Sequence, residues 1–150
     1  NDYGLLFNLA FSYFNLGFYE EALNIFNQYF IKNNNDLTAA YLMGVSNFKI
    51  KKYSNAIYYL DLANNNSDSE ILYYLGVSHY ELKNYSKAIR AFKKSLIINP
   101  KNQYAIYGLG QTYIESENKR DSKRQLRSLM NIDQDLFELL KISYDSKFNN

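Results

Sequence analysis

The chain repeats itself, and that feature constrains its fold more than any other. The pairs Leu9-Ala10, Met43-Gly44, Leu75-Gly76 and Leu109-Gly110 recur with their second members 34, 32 and 34 residues apart. Three residues after each pair stands Tyr13, Asn47, His79 or Tyr113. Nine residues after each of the first three pairs comes Tyr19, Tyr53 or Tyr85. An alanine then follows (Ala22, Ala56, Ala88), and four positions on a bulky apolar residue (Phe26, Leu60, Phe92). A near-fixed period in the range of about 20–50 residues marks a chain built from stacked supersecondary units.

Each unit reads as two amphipathic helices. Segment 71–82 places Leu72, Leu75, Gly76 and His79 on one stripe at helical spacing, and segment 85–98 does the same with Tyr85, Ala88, Ile89, Phe92 and Leu96. Neither stripe can be buried alone, so the helices must pack as a pair and against neighbouring pairs. Gly76 and Ala88 lack bulk where two helices would approach. The short connector Leu82-Lys83-Asn84 forces an antiparallel hairpin, with Asn84 a candidate N-cap. The runs 33–36 and 64–68 combine turn formers with capping residues, Ser67 and Glu70 have capping-box spacing, and Asn99-Pro100-Lys101-Asn102 stops one helix and can cap the next.

These positions resemble the tetratricopeptide repeat. Units 3–36, 37–68 and 69–102 match it, while 103–132 matches only in its first half, through Leu109, Gly110 and Tyr113. There Ser122 replaces the expected alanine, and Leu126 keeps the bulky position. Leu6, Ala40, Leu72 and Ile106 stand where the family places tryptophan, and its proline occurs only as Pro100. The resemblance implies an all-α, right-handed superhelix of antiparallel helix pairs. It would hold three clear repeats and one degenerate one in a single domain spanning 1–150. An amphipathic segment at about 133–146, with Leu136, Leu139, Leu140, Ser143 and Tyr144 on one face, is expected to cap the end with a polar outer face; 147–150 is expected to fray.

Little in the composition suits enzymatic chemistry. There is no cysteine, one histidine, one proline and no tryptophan. Cysteine's absence removes thiolate nucleophiles and zinc–cysteine sites. His79 sits on a core stripe and reads as a packing residue. Glu20-Glu21 and Asp133/Asp135 fall at helix starts, where negative charge favours the helix dipole. Gly108-Leu109-Gly110 lies inside a helical pattern with no Gly-Lys-Ser/Thr after it, so it is no phosphate loop. We expect no catalytic residue, metal or cofactor. Seventeen basic against fifteen acidic residues give +2, which demands no nucleic acid, and no apolar run approaches the ~18 residues of a membrane span. The chain begins at Asn1 rather than methionine and reads as a processed or excised fragment, which leaves its compartment open.

A second apolar stripe lies on the first helix of each unit, about a third of a turn from the core stripe. It comprises Phe7, Phe11 and Phe14; Tyr41, Val45 and Phe48; Tyr73, Val77 and Tyr80; and Tyr107, Gln111 and Ile114. A helix apolar on two faces is buried on both or exposes one to a partner. By resemblance these positions line a concave groove that holds a peptide or a partner helix. Asn15, Lys49, Glu81 and Gln111 sit beside the stripe and could bond a bound backbone. Family members that clamp acidic chaperone tails place basic residues and asparagine at positions that are here Phe7, Phe11, Leu42, Glu70 and Tyr74, so that clamp is absent.

Charge divides the chain: 1–75 carries −3 and 76–150 carries +5. Lys87, Arg90 and Lys94, then Arg120, Lys123, Arg124 and Arg127, form basic helix faces. They read as solvated surface, or as a second docking patch for an acidic partner. The expected function is non-catalytic binding of an apolar or aromatic peptide segment or helix, as an adaptor or assembly factor. Alternatives are a small tetratricopeptide chaperone of a bacterial secretion system, a regulatory or substrate-recruiting module of a larger enzyme, and homo-oligomerisation through the groove.

Overall fold

A computed structural model describes residues 2–149. Among them the chain forms nine helices and no strand: α1 (Asp2–Asn15), α2 (Tyr19–Phe30), α3 (Leu37–Lys49), α4 (Tyr53–Ala63), α5 (Ser69–Glu81), α6 (Tyr85–Ile98), α7 (Gln103–Glu115), α8 (Lys119–Leu129) and α9 (Gln134–Phe148). The fold is all-α and built of repeated helix pairs. It divides into two compact units, α1–α4 ending at Asn65 and α5–α9 beginning at Asn66. In the first, α1 packs on α2 and α3, and α3 also on α2 and α4; in the second, α7 packs on α5, α6, α8 and α9.

One turn joins every pair. Three residues separate the two helices of each hairpin, and the middle one is left-handed: Gly17 (φ 81), Lys51 (φ 62), Lys83 (φ 59) and Glu117 (φ 60). The next residue donates its N–H five positions back, Phe18 to Tyr13 (2.9 Å), Lys52 to Asn47 (2.8 Å), Asn84 to His79 (2.8 Å) and Asn118 to Tyr113 (2.7 Å). The left-handed residue itself bonds three positions back, as Gly17 does to Phe14 at 3.0 Å. This is the paired-bond helix stop that satisfies orphan carbonyls. The position three after each small-residue pair is therefore the carbonyl that closes the hairpin.

Helix starts differ between the two members of a pair. The first helices α3, α5 and α7 are capped by side chains: the Asp36 carboxylate accepts from Thr38 and Ala39 N–H, Asp68 from Glu70 and Ile71, and Asn102 from Ala105. Two expectations change here. The α5 cap is Asp68, not Ser67, because the helix starts one residue later than a Ser67–Glu70 box requires. Asn84 stands at the N-cap position of α6, but its side chain makes no capping bond there. Asn118 does cap α8, accepting from Asp121 N–H at 3.1 Å.

The small residues sit where helices touch. A Cβ on Gly44 would stand 2.7 Å from Leu60 Cγ, and one on Gly76 2.7 Å from the Phe92 ring. Gly108 is tighter still, 2.5 Å from Phe92 Cζ, so that ring is seated between glycines of α5 and α7. Phe26, Leu60, Phe92 and Ala88 are fully buried. Ser122, at the degenerate alanine position, is also buried and turns its hydroxyl back to Lys119 O at 3.0 Å.

The terminal helix departs from expectation. It runs through Phe148 rather than fraying after 146; Asn150 lies outside the described residues. Leu140 and Tyr144 are buried, and Phe137 and Phe148 pack beside them on the α7/α8 cluster. Using those two rings rotates the packing face away from Leu139, which is 52% exposed. With Ile142 also exposed, the outer face is not uniformly polar.

Candidate functional site

In the second unit α5 and α7 run past each other above the Phe92 ring and leave an open cavity of about 250 Å³. Tyr73, Val77, Tyr80 and Glu81 of α5 line one side, and Tyr107 and Gln111 of α7 the other. These are six of the seven second-unit residues read from the stripe and its flank; the seventh, Ile114, does not line it. Phe92 forms the floor, and Tyr104 and Gly108 complete the wall. Tyr104 carried a legible signal, since it lies three residues before Tyr107 and shares its helix face. Gly108 contributes by absence: a side chain there would collide with Phe92 and intrude on the space above it.

The rings are tilted rather than stacked. Tyr73 stands 6.4 Å from Tyr104 at 52° and 6.2 Å from Phe92 at 50°, and Tyr80 stands 6.0 Å from Tyr85 at 48°. Burial is the main cause that raises the Tyr80 phenol pKa to about 12; the charges of Glu115 and Glu81 add to it. Tyr73 is raised too, by burial first and then by Tyr104. Both phenols stay neutral near pH 7 and can offer ring faces and hydroxyls, not proton transfer. Gln111 Nε2 donates to Tyr107 Oη at 2.7 Å and to Ser143 Oγ at 3.2 Å, which fixes the Gln111 amide against the wall.

The first unit handles the same positions differently. Phe7, Phe11 and Phe14 form a row along α1, with Phe7–Phe11 6.3 Å apart at 14° and Phe11–Phe14 6.5 Å apart at 8°. Phe7 also meets the edges of Phe26 and Tyr29, so part of its surface is core. Tyr41 and Phe48 are half-buried, and Asn15 and Lys49 are exposed. Val45 does not belong to an open stripe. It is 3% exposed, because burial runs right round α3 from Leu42 to Asn47 and leaves no outward face there. Ile114 is likewise buried, at 2%.

The basic residues lie on other helices. Lys87, Arg90 and Lys94 on α6 and Arg120, Lys123, Arg124 and Arg127 on α8 are all exposed. Arg124 pairs with Asp121 at 3.6 Å, and Lys94 donates to Asn66 Oδ1 at 3.3 Å. His79 is half-buried in α5. Among the described residues no group of three or more histidine, aspartate or glutamate side chains could hold a metal ion, and no helix is long and apolar enough to cross a membrane.

Comparison with known proteins agrees with this architecture. Residues 69–102 match the family model for the tetratricopeptide repeat, and residues 1–63 match that of the anaphase-promoting complex, cyclosome, subunit 3. Curated proteins give no match. Among solved structures, MamA of Desulfovibrio magneticus RS-1 is similar with a TM-score of 0.83 at 23% identity, covering 90% of this chain and 77% of that one. MamA MSR-1 gives 0.83 at 17%, over 89% and 78% of the two chains. YrrB, described as a tetratricopeptide-repeat protein with an unusual peptide-binding site, gives 0.81 at 18%, over 97% and 77%. At these identities the likeness is one of fold.

Proposed function

We propose, from the premise that this chain is built of tetratricopeptide repeats, that it is a non-catalytic protein-interaction module whose second unit grips a peptide segment or partner helix through the tyrosine cavity. One observation carries the reading. Six of the seven second-unit residues read from the helical stripe and its flank line one open cavity, floored by an aromatic ring that two glycines make room for. Tyrosine suits this use, since it supplies a large rigid surface with a polar tip at small entropic cost. Partner side chains would bury among the rings, with Gln111 and Glu81 fixing register at the rim. A partner with an aromatic or aliphatic stem would gain roughly 1.5–3 kcal/mol per well-buried group.

The reading extends to Phe7, Phe11, Phe14, Tyr41 and Phe48 as a second contact row on the first unit. It demotes the basic faces of α6 and α8 to solvated surface. The test is selection of binders from a random dodecapeptide library on the intact chain, followed by affinity measurement on Val77→Ser and Tyr80→Ser. Thermal melts confirm that both variants fold. Each substitution should weaken binding by about tenfold or more. Unchanged affinity in both would place the binding surface elsewhere, with the α6/α8 face next in line.

A further inference from the structure

Charge in the second unit is sorted by helix. The first helices, α5 and α7, carry Glu70, Glu81 and Glu115 and no lysine or arginine. The second helices, α6 and α8, carry nine basic residues against the single acid Asp121. A half of the chain that is basic overall therefore turns two helices without lysine or arginine toward this tyrosine-lined cavity.

Three features of that cavity point to the same kind of guest. Five aromatic rings line it, those of Tyr73, Tyr80, Phe92, Tyr104 and Tyr107, and an aromatic ring face carries negative electrostatic character that attracts cations. Glu81 lines the rim and Glu115 lies near enough to act on Tyr80, as the rise in that phenol's pKa registers. Ion pairs among the described residues join Arg124 to Asp121 and Lys147 to Glu117, and neither involves Glu81 or Glu115. Finally, both donor hydrogens of the Gln111 amide are engaged by Tyr107 and Ser143, so that side chain offers a guest its carbonyl oxygen. The wall thus supplies ring faces, acceptors and negative charge, with no lysine or arginine among its lining residues.

We propose that this cavity takes a basic side chain, a lysine or arginine of the partner segment, with its aliphatic stem against Val77 and Phe92 and its charged head among Tyr73, Tyr80 and Glu81. The inference rests on reading the cavity as the partner site. A long basic side chain fits both halves of the lining, because its methylene stem buries on apolar surface while the head keeps polar partners. An acidic guest would meet the like charges of Glu81 and Glu115.

The library-selected peptides separate this claim from the one beneath it. Each binder is remade with every lysine replaced by Nε-acetyl-lysine and every arginine by citrulline, which keep the stem and remove the charge. The expected result is a shared basic residue whose neutralisation weakens binding about tenfold. Glu81→Gln and Glu115→Gln should each weaken it two- to fivefold, and less so in high salt. Tyr80→Leu should weaken it more than Tyr80→Phe, because phenylalanine keeps the ring face. Binders that lose affinity on Val77→Ser yet ignore neutralisation overturn the basic-guest claim and leave the cavity as the partner site. Binders indifferent to every cavity substitution, or a library that yields none dependent on the cavity, overturn both.

Discussion

The two units are both built of helix hairpins and put opposite charge on their second helices. In the first, the second helices α2 and α4 carry Glu20, Glu21 and Asp61 with no lysine or arginine, and α3 ends on Lys49. In the second, α6 and α8 are basic, and α5 and α7 acidic. The aromatic stripes diverge too, since α1 lays its phenylalanines in a parallel row while α5 and α7 splay tyrosines around a cavity. Close contacts at Gly44, Gly76 and Gly108 hold the packing positions, and the stripe residues Tyr73, Val77 and Tyr80 also pack in part against the second-unit core.

The sharpest way to break this comparison is at the floor of the cavity. Phe92 meets glycines on two helices, while Leu60 in the first unit meets one. Phe92→Ala should cost about 3–5 kcal/mol in urea denaturation, and Leu60→Ala less, within about 2–5 kcal/mol. Equal losses would mean the double glycine seat adds nothing.

The hairpin turns give the next effect. Gly17 holds a left-handed conformation that the second unit assigns to Lys83 and Glu117. Gly17→Lys should cost about 1–2 kcal/mol, and Lys83→Gly should raise stability by at most about 1 kcal/mol, less the glycine's own unfolded-state entropy. Urea midpoints that move the opposite way would show that the turn is set by something other than its φ.

The smallest expected effect belongs to the first unit alone. Tyr29 donates its hydroxyl to Asp36 Oδ2 at 2.6 Å, tying the end of α2 to the carboxylate that caps α3. That hydrogen bond, then burial and the Asp36 charge, raise the phenol to about 12 from its ordinary 10.0. The native state thus holds the proton more tightly than the unfolded chain, so the contribution is complete below pH 10 and lost as pH rises toward 12. Tyr29→Phe should cost about 1 kcal/mol at pH 8 and progressively less above pH 10. A difference from wild type that stays constant across that range would contradict the assignment.

How much of this was legible follows from what each position touches. The small-residue pairs and the Phe26, Leu60 and Phe92 positions were readable, because a helix period admits one buried stripe and the contacts behind it are local. The second-unit cavity was readable for the same reason, with Tyr104 missed because it lies in the first turn of α7, three residues ahead of the stripe. Val45 was misplaced because spacing gives a direction on the helix and not whether anything lies there; α3 is buried on every side at that level. Leu139 was misplaced because Phe137 and Phe148 drew the packing face of α9 round toward themselves. The Ser67 cap misled because α5 starts one residue later, while Asn84 does stand at the N-cap of α6 without a side-chain capping bond.

The most direct measurement is calorimetric titration of one library-selected peptide into three proteins: wild type, Tyr73→Ser/Tyr80→Ser, and Phe7→Ser/Phe11→Ser. The account predicts a loss of binding of a hundredfold or so in the tyrosine pair and a much smaller loss in the phenylalanine pair. Equal affinity for wild type and the tyrosine pair, with both variants folded, would contradict it.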